Sequence, residues 1–274
     1  MSSPDLPTLA VELRAEQDSL DAVVAGITET DWVTPTASPG WTVRDQIGHL
    51  TYFDGTAAHA ITEPARFNAD LAALLTGGGG LDDATLHRDL GASSLLELWR
   101  ANRQALAGAA ARLDDGDRIP WYGPSMSAKS FLTARLMEAW AHGHDVVDAL
   151  GADHEPTDRL RHIVRLGYIT RGWTYVNRGE EMPAGDVRLE LTGPSGAVWR
   201  HGGADASDVV RGSAVDFCLV VTQRRHVVDT GLDVTGDAAR DWLAKAQAYA
   251  GAPTDGPPPR RASRAEPGNG EAPG

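Results

Sequence analysis

The sequence predicts an α+β protein with a four-helix bundle over residues 1–151, a small α/β domain over 152–251 and a disordered tail over 252–274. Three observations carry that reading. Four long stretches in the first 150 residues repeat apolar side chains at helical spacing. A stretch beginning at Val187 alternates like a half-buried strand and returns after a Gly-Pro-Ser-Gly turn. From Pro253 onward, Pro, Gly, Arg and Glu dominate, leaving almost nothing to bury.

The first helix rests on Leu6, Leu9, Leu13, Leu20, Val24 and Ile27, and it ends before Asp31-Trp32 and the turn-rich stretch from Pro35 to Gly40. Thr42 can cap the second helix and Asp45 can close a capping box with it. That helix carries Val43, Ile47, Leu50, Phe53 and Ala57, together with His49, and fails before Pro64. A short helical piece from Ala65 to Leu75 runs into Gly77–Gly80, a flexible loop. No strand precedes these glycines and no Lys-Ser or Lys-Thr follows them, so they do not read as a phosphate cradle. Ser94 opens the third long helix, with Leu95, Leu98, Trp99, Leu106 and Leu113 inward, and Asp114-Asp115-Gly116 stops it. Ser127 caps the fourth, from about Ala128 to Leu150, and Gly151 ends it. Four such helices joined by loops predict an antiparallel bundle. Beyond it a helix is expected over Thr157–Asn177, strands over Val187–Leu191 and Ala197–His201, and helices from Ser213 to Arg224 and from Asp237 to Tyr249.

Composition narrows the function. The chain has 274 residues and a net charge of −13, which argues against nonspecific nucleic-acid binding. No apolar run reaches the ~18 residues of a membrane span, and the N-terminus lacks the pattern of a signal peptide. A cytoplasmic protein without a membrane partner, monomeric or homodimeric, is expected. A single cysteine excludes a disulfide framework or a Cys-based zinc finger, whereas nine histidines favour imidazole and carboxylate ligands for any metal. Neither a Gly-x-Ser-x-Gly elbow nor a Gly-x-Gly-x-x-Gly fingerprint occurs.

Glu138 and His142 lie four apart on the fourth helix and so share a face. Such a pair is often just a solvated surface. Here Phe131, Ala134 and Ala141 occupy the same face, which turns the pair inward, where a carboxylate and an imidazole need a partner. A third ligand must come from another helix, and His49, among Ile47, Leu50 and Phe53, is the candidate. Two histidines and one glutamate leave a divalent metal, zinc first, an open fourth position, as in catalytic sites. Asp145, three residues after His142, can orient that imidazole. Tyr122 and Ser125, in the loop entering the metal helix, can offer hydroxyls to a substrate, although a turn plus a helix cap explains the loop equally well. Cys218, between Phe217 and Leu219, reads as a packing residue.

Gly40-Trp41-Thr42-Val43-Arg44-Asp45 followed by Ile47-x-His49-Leu50 resembles the second-helix signature of the DinB-like metalloproteins. Arg135-Leu136-Met137-Glu138-Ala139-Trp140-Ala141-His142-Gly143-x-Asp145 resembles the fourth-helix motif of their actinobacterial branch, which includes mycothiol-dependent maleylpyruvate isomerase. Leu9-x-x-Glu12 and Asp31-Trp32-x-x-Pro35-Thr36 fit the opening of that branch, and the similarity spans residues 1 to about 150. The resemblance implies a DinB-like bundle with His49, Glu138 and His142 as ligands of a divalent metal, usually zinc. It also implies a sterol-carrier-like α/β second domain, more loosely matched. In that domain Gly212-x-Ala214-x-Asp216-Phe217 and the following Arg224 are similar to the isomerase pattern, which favours Arg224 for a catalytic part; Arg225, ending the same apolar helix, is the lesser candidate in substrate binding, and the alternative is that both complement the negative end of that helix. The chain has Thr222-Gln223-Arg224-Arg225 where the isomerases commonly show Trp-Gly-Arg. The implied activity is a thiol-dependent isomerisation or S-transfer on a small acidic or carbonyl-bearing molecule, with mycothiol as cosubstrate. A thiol-independent Lewis-acid isomerase, hydratase or cyclase and a metal-stabilised binding protein remain the alternatives.

Overall fold

Asp5 opens α1 (Leu6–Val24) by accepting a hydrogen bond from the Thr8 N–H at 2.8 Å, with a proline in the first turn, where no N–H is needed. The computed structural model describes residues 5–76 and 86–260 and confirms the α+β class. It continues with α2 (Glu29–Trp32), α3 (Val43–Thr62), α4 (Pro64–Thr76), α5 (Ala92–Ala110), the short strands β1 (Arg118–Ile119) and β2 (Met126–Ser127), and α6 (Ala128–Leu150). The long helices form a ring in which α3 packs on α5 and α6, and α1 packs on the same two. Leu20, Ile47, Leu50, Leu95, Trp99 and Val146 meet in a core within it.

Local signals account for most helix ends. The Thr42 N–H donates to the Asp45 carboxylate at 2.8 Å, and the Thr42 hydroxyl accepts from the Asp45 N–H at 3.4 Å, which is the expected capping box. A second box, between Thr28 and Asp31, opens the short α2. Helix α5 begins at Ala92, not at Ser94, because Ala92 extends the buried stripe of Leu95, Leu96 and Trp99 by one turn. Packing there outweighs the capping signal; Leu98 is only half-buried and Leu113 falls beyond the helix. Gly151 ends α6 in the left-handed conformation at φ 59°. Gly48 meets a different demand, since a Cβ there would lie 2.1 Å from the Leu86 carbonyl oxygen.

The chain divides into two units, Met1–Leu166 and Gly167–Gly274. The sequence pattern changes at Gly151, yet the following stretch stays on the bundle. Arg161 pairs with Glu12 at 2.5 Å, His162 pairs with the same carboxylate, and Arg159 pairs with Glu16 at 2.6 Å. The helix expected over Thr157–Asn177 is two, α7 (Leu160–Ile169) and α8 (Arg171–Arg178), separated at Thr170.

The second unit is built on a four-stranded sheet of order β4-β3-β5-β6. Strands β3 (Val187–Thr192) and β4 (Val198–His201) form the expected hairpin, with Leu191 opposite Trp199 and with Val187, Leu189 and Leu191 buried. Strand β5 (Asp208–Ser213) runs parallel to β3, and β6 (Asp233–Thr235) runs antiparallel to β5. Helix α9 (Ala214–Val221) is capped by Ser213 and ends three residues before Arg224; α10 (Asp237–Leu243) ends before Tyr249. Cys218 is fully buried, and burial pushes its thiol well up, as suits a packing residue. The first residues of the tail belong to the fold: the Gln223 amide donates to the Thr254 carbonyl at 2.9 Å and Arg178 pairs with Asp255 at 2.9 Å. The rest of the expected tail, 261–274, and the Gly77–Gly80 loop lie outside the described residues. No helix among the described residues is long and apolar enough to cross a membrane.

Candidate metal centre

Two helices bring the predicted ligands together. His49 sits on the second turn of α3, and Glu138 and His142 sit one turn apart on α6. The His142 Nε2 lies 3.1 Å from Glu138 Oε2, and the His49 Nε2 lies 3.7 Å from the same oxygen. The two imidazole centroids are 4.3 Å apart. Among the described residues, His49, Glu138 and His142 form the group whose ligand atoms, all within 4.8 Å of one another, could hold a metal ion. Ligands bonded to one tetrahedral zinc at roughly 2.0–2.1 Å stand about 3.3–3.4 Å from each other, so the observed spacings suit such an ion. Burial pushes the Glu138 carboxyl up, but the neighbouring imidazoles of His142 and His49 and the charge of Arg135 outweigh it and hold the group well below the usual range. The carboxylate is therefore ionised, as a ligand must be.

The far side of His142 is closed by a residue the sequence reading missed. Gln46, fully buried, places its Oε1 2.5 Å from His142 Nδ1, while its Nε2 donates to Thr36 Oγ1 at 2.9 Å and to Ser38 Oγ at 3.0 Å. With both amide protons spent on hydroxyls, Oε1 is left to accept from Nδ1–H, and that tautomer presents the Nε2 lone pair to the ligand cluster. Asp145, the residue expected beside His142, receives a hydrogen bond from Ser38 at 3.4 Å and so stands one link further along the same chain. A signal for Gln46 was present: a polar side chain three residues before His49 on an otherwise apolar helical face.

Half-buried aromatic rings surround the cluster. Trp41 stacks over His142 at 6.0 Å and lies 5.3 Å from His49, and Phe53 packs on His49 at 4.5 Å. Tyr122 and Trp121 extend the wall, at 5.5 and 6.1 Å from Phe53. Burial, with the Tyr52 hydroxyl 3.3 Å away, pushes the Tyr122 phenol well above its ordinary range, which makes Tyr122 a neutral hydroxyl. Buried Arg135, one turn before Glu138, sets its guanidinium 5.8 Å from the Phe53 ring and 5.6 Å from that of Trp121.

Ser125 is exposed in the β1–β2 hairpin, where Arg118 holds its hydroxyl at 3.1 Å and also its carbonyl. Arg224 donates to the Thr222 carbonyl at 2.7 Å and Arg225 to the Arg224 carbonyl at 2.9 Å, both just past α9 in the second unit. His144 stacks on Trp140 and faces Asp148 at 3.5 Å, outside the ligand cluster.

Residues 13–147 match the model of the mycothiol maleylpyruvate isomerase N-terminal domain. An uncharacterized protein of Mycobacterium tuberculosis strain H37Rv is 46% identical over 250 residues, 89% of this chain and 96% of its own. One of strain CDC 1551 gives the same figures, 46% over 250 residues with 89% and 96% coverage. Among solved structures, the chain is similar to a mycothiol-dependent maleylpyruvate isomerase, with a TM-score of 0.55 and 17% identity over 85% of this chain and 95% of that one. A point variant of that enzyme gives a TM-score of 0.53, again at 17% identity, over 82% and 92%. At such identity the structural likeness speaks for the fold.

Proposed function

Because the chain belongs to the family of the mycothiol maleylpyruvate isomerase N-terminal domain, we propose that it is a metal-dependent enzyme that isomerises, or transfers sulfur to, a small acidic or carbonyl-bearing molecule with mycothiol as cosubstrate. The observation that carries this reading is the convergence of His49 Nε2, His142 Nε2 and a Glu138 oxygen, with His142 locked from behind by Gln46. A divalent ion bound there, zinc by its donor set, would supply Lewis acidity to a carbonyl or ionise a bound thiol.

The chain's own residues do the rest. Glu138 offers the anionic oxygen and the two imidazoles offer neutral nitrogens, so three protein ligands leave room for an exchangeable one, as catalytic sites require. Trp41, Phe53 and Trp121 limit water around it, which strengthens every electrostatic interaction inside. Tyr122, kept as a phenol, can donate a hydrogen bond to a substrate oxygen, and Asp145 supports His142 through Ser38 and Gln46. Arg224, seconded by Arg225, is the second unit's candidate for a substrate anion. Ser125, already engaged by Arg118, is the weaker candidate of the entrance loop.

Elemental analysis of protein purified without added metal tests the centre. About one divalent ion per chain is expected. His49→Ala, Glu138→Ala and His142→Ala should lose it, whereas His144→Ala and His59→Ala should keep it. Zinc content near zero even after zinc addition overturns the reading. Turnover that proceeds without mycothiol would leave the metal in place and favour the Lewis-acid alternative.

A further inference from the structure

One charged group beside the ligand cluster carries buried donors without a hydrogen-bond partner among the described residues. Arg135 is 4% exposed, and its Nε and Nη2 have no hydrogen-bond partner among the described residues. A guanidinium removed from water normally has its fork satisfied, because each unpaired N–H forfeits the hydration it had in the unfolded chain. Neither nearby carboxylate forms a hydrogen bond with it, and Asp54 Oδ1 is likewise buried without a hydrogen-bond partner among the described residues. Glu138 faces His142 Nε2 at 3.1 Å and His49 Nε2 at 3.7 Å. The buried Asp54 takes hydrogen bonds from the Gln17 amide at 2.9 Å and the Trp99 indole at 3.1 Å, both on one oxygen. Asp54, Glu138 and Tyr122 all feel the Arg135 charge. Phe53, against which the guanidinium rests, also packs on His49. Rings approaching a guanidinium attract its charge through their π faces and do not consume its N–H donors.

We propose that Arg135 binds a carboxylate of the small molecule held at the metal centre, its planar fork pairing with the anion from within the bundle. This rests on the reading of His49, Glu138 and His142 as the reaction centre. The chemistry favours an anion: two neutral imidazoles and one carboxylate do not cancel a divalent cation, and Arg135 adds a further positive charge one turn away. The fork suits two parallel N–H···O bonds, which a lysine ammonium cannot reproduce. Phe53, Trp121 and Tyr122, grouped beside it, are half-buried. The rival role, a structural counter-charge for Asp54 and Glu138, makes different predictions for ligand binding.

The test is calorimetric titration of the zinc-loaded protein with maleate, a short dicarboxylate, and with maleamide, its uncharged diamide. Wild-type protein should bind maleate saturably and more tightly than maleamide. Arg135→Gln should raise the maleate Kd at least ~10-fold while zinc content, melting temperature and maleamide binding stay unchanged; Arg135→Lys should fall between. Maleate binding no tighter than maleamide binding in the wild type overturns the proposal. So do folded Arg135→Gln and Arg135→Lys variants that match the wild-type maleate Kd within about twofold, a difference of about 0.4 kcal/mol. If Arg135→Gln does not fold, Arg135→Lys decides alone, and failure of both to fold assigns the residue to structure and overturns the proposal. Zinc content separates this from the function: Arg135-dependent maleate binding without zinc uptake sinks the metal reading only, and zinc uptake with Arg135-independent binding sinks this inference only.

Discussion

Replacing Gln46 by Leu should weaken zinc binding without emptying the fold. Gln46 is 0% exposed, and its Oε1 lies 2.5 Å from His142 Nδ1. Leucine has nearly the same volume but accepts nothing, so Nδ1–H loses its partner. The competing tautomer, with the proton on Nε2 and directed at the Glu138 oxygen 3.1 Å away, then gains weight. That proton must leave before a metal can bind. Loss of a partner that orients a ligating histidine typically costs about 10–100-fold in metal affinity, or about 1.4–2.8 kcal/mol. Gln46→Glu keeps the acceptor and should bind zinc within about threefold of wild type or more tightly, since the Thr36 and Ser38 hydroxyls can turn to donate. The assay is zinc competition against a chromophoric chelator, with melting of the metal-free variants measured separately. A folded Gln46→Leu variant with unchanged affinity would refute the role of Gln46 and, with it, the support that Asp145 gives His142 through Ser38.

Gly48→Ala should cost about 2 kcal/mol or more in urea unfolding, since its Cβ would overlap a backbone carbonyl that cannot rotate away; a loss below about 0.5 kcal/mol would show that the Leu86 segment yields easily. Glu12 is pushed up by burial but held below its usual range by Arg161 and His162, so its contribution is complete above the unfolded pKa of about 4.3 and fades as pH falls through the lower folded value. The difference in urea midpoint between wild type and Glu12→Gln should therefore be constant near neutrality and shrink in acid; the same difference at both ends would contradict the pairing. Truncation after Arg260 should leave stability unchanged within about 0.5 kcal/mol, whereas truncation after Gly251 removes the Thr254 and Asp255 contacts and should lower it by up to about 1 kcal/mol. Equal melting temperatures for the two truncations would show those contacts to be idle.

The four long helices, the Thr42–Asp45 box, the Gly151 stop and the β3–β4 hairpin were legible because each depends on residues within a few positions of one another. The pairing of Glu138 with His142 belongs with them, since four residues on a helix make one face. Other elements escaped for the opposite reason. Strand β5 lies between β3 and β6, and Val209-Val210 is too short an apolar run to announce a strand without those neighbours. The break at Thr170 leaves the helical spacing almost continuous on both sides.

The sequence by itself determined the fold class, the bundle and the three candidate ligands, because spacing and chemical identity are local properties of the chain. Tertiary structure decided which atoms meet. It turned both Nε2 atoms toward one Glu138 oxygen and set Gln46 against Nδ1 of His142. It bound residues 159–162 to α1 through Glu12 and Glu16, carrying the first unit past its apparent end. It also buried Arg135 beside Phe53 and Trp121, with no hydrogen-bond partner for Nε and Nη2 among the described residues. Each outcome joins side chains far apart in sequence, and the packing of whole helices, which no local pattern encodes, sets the distance between them.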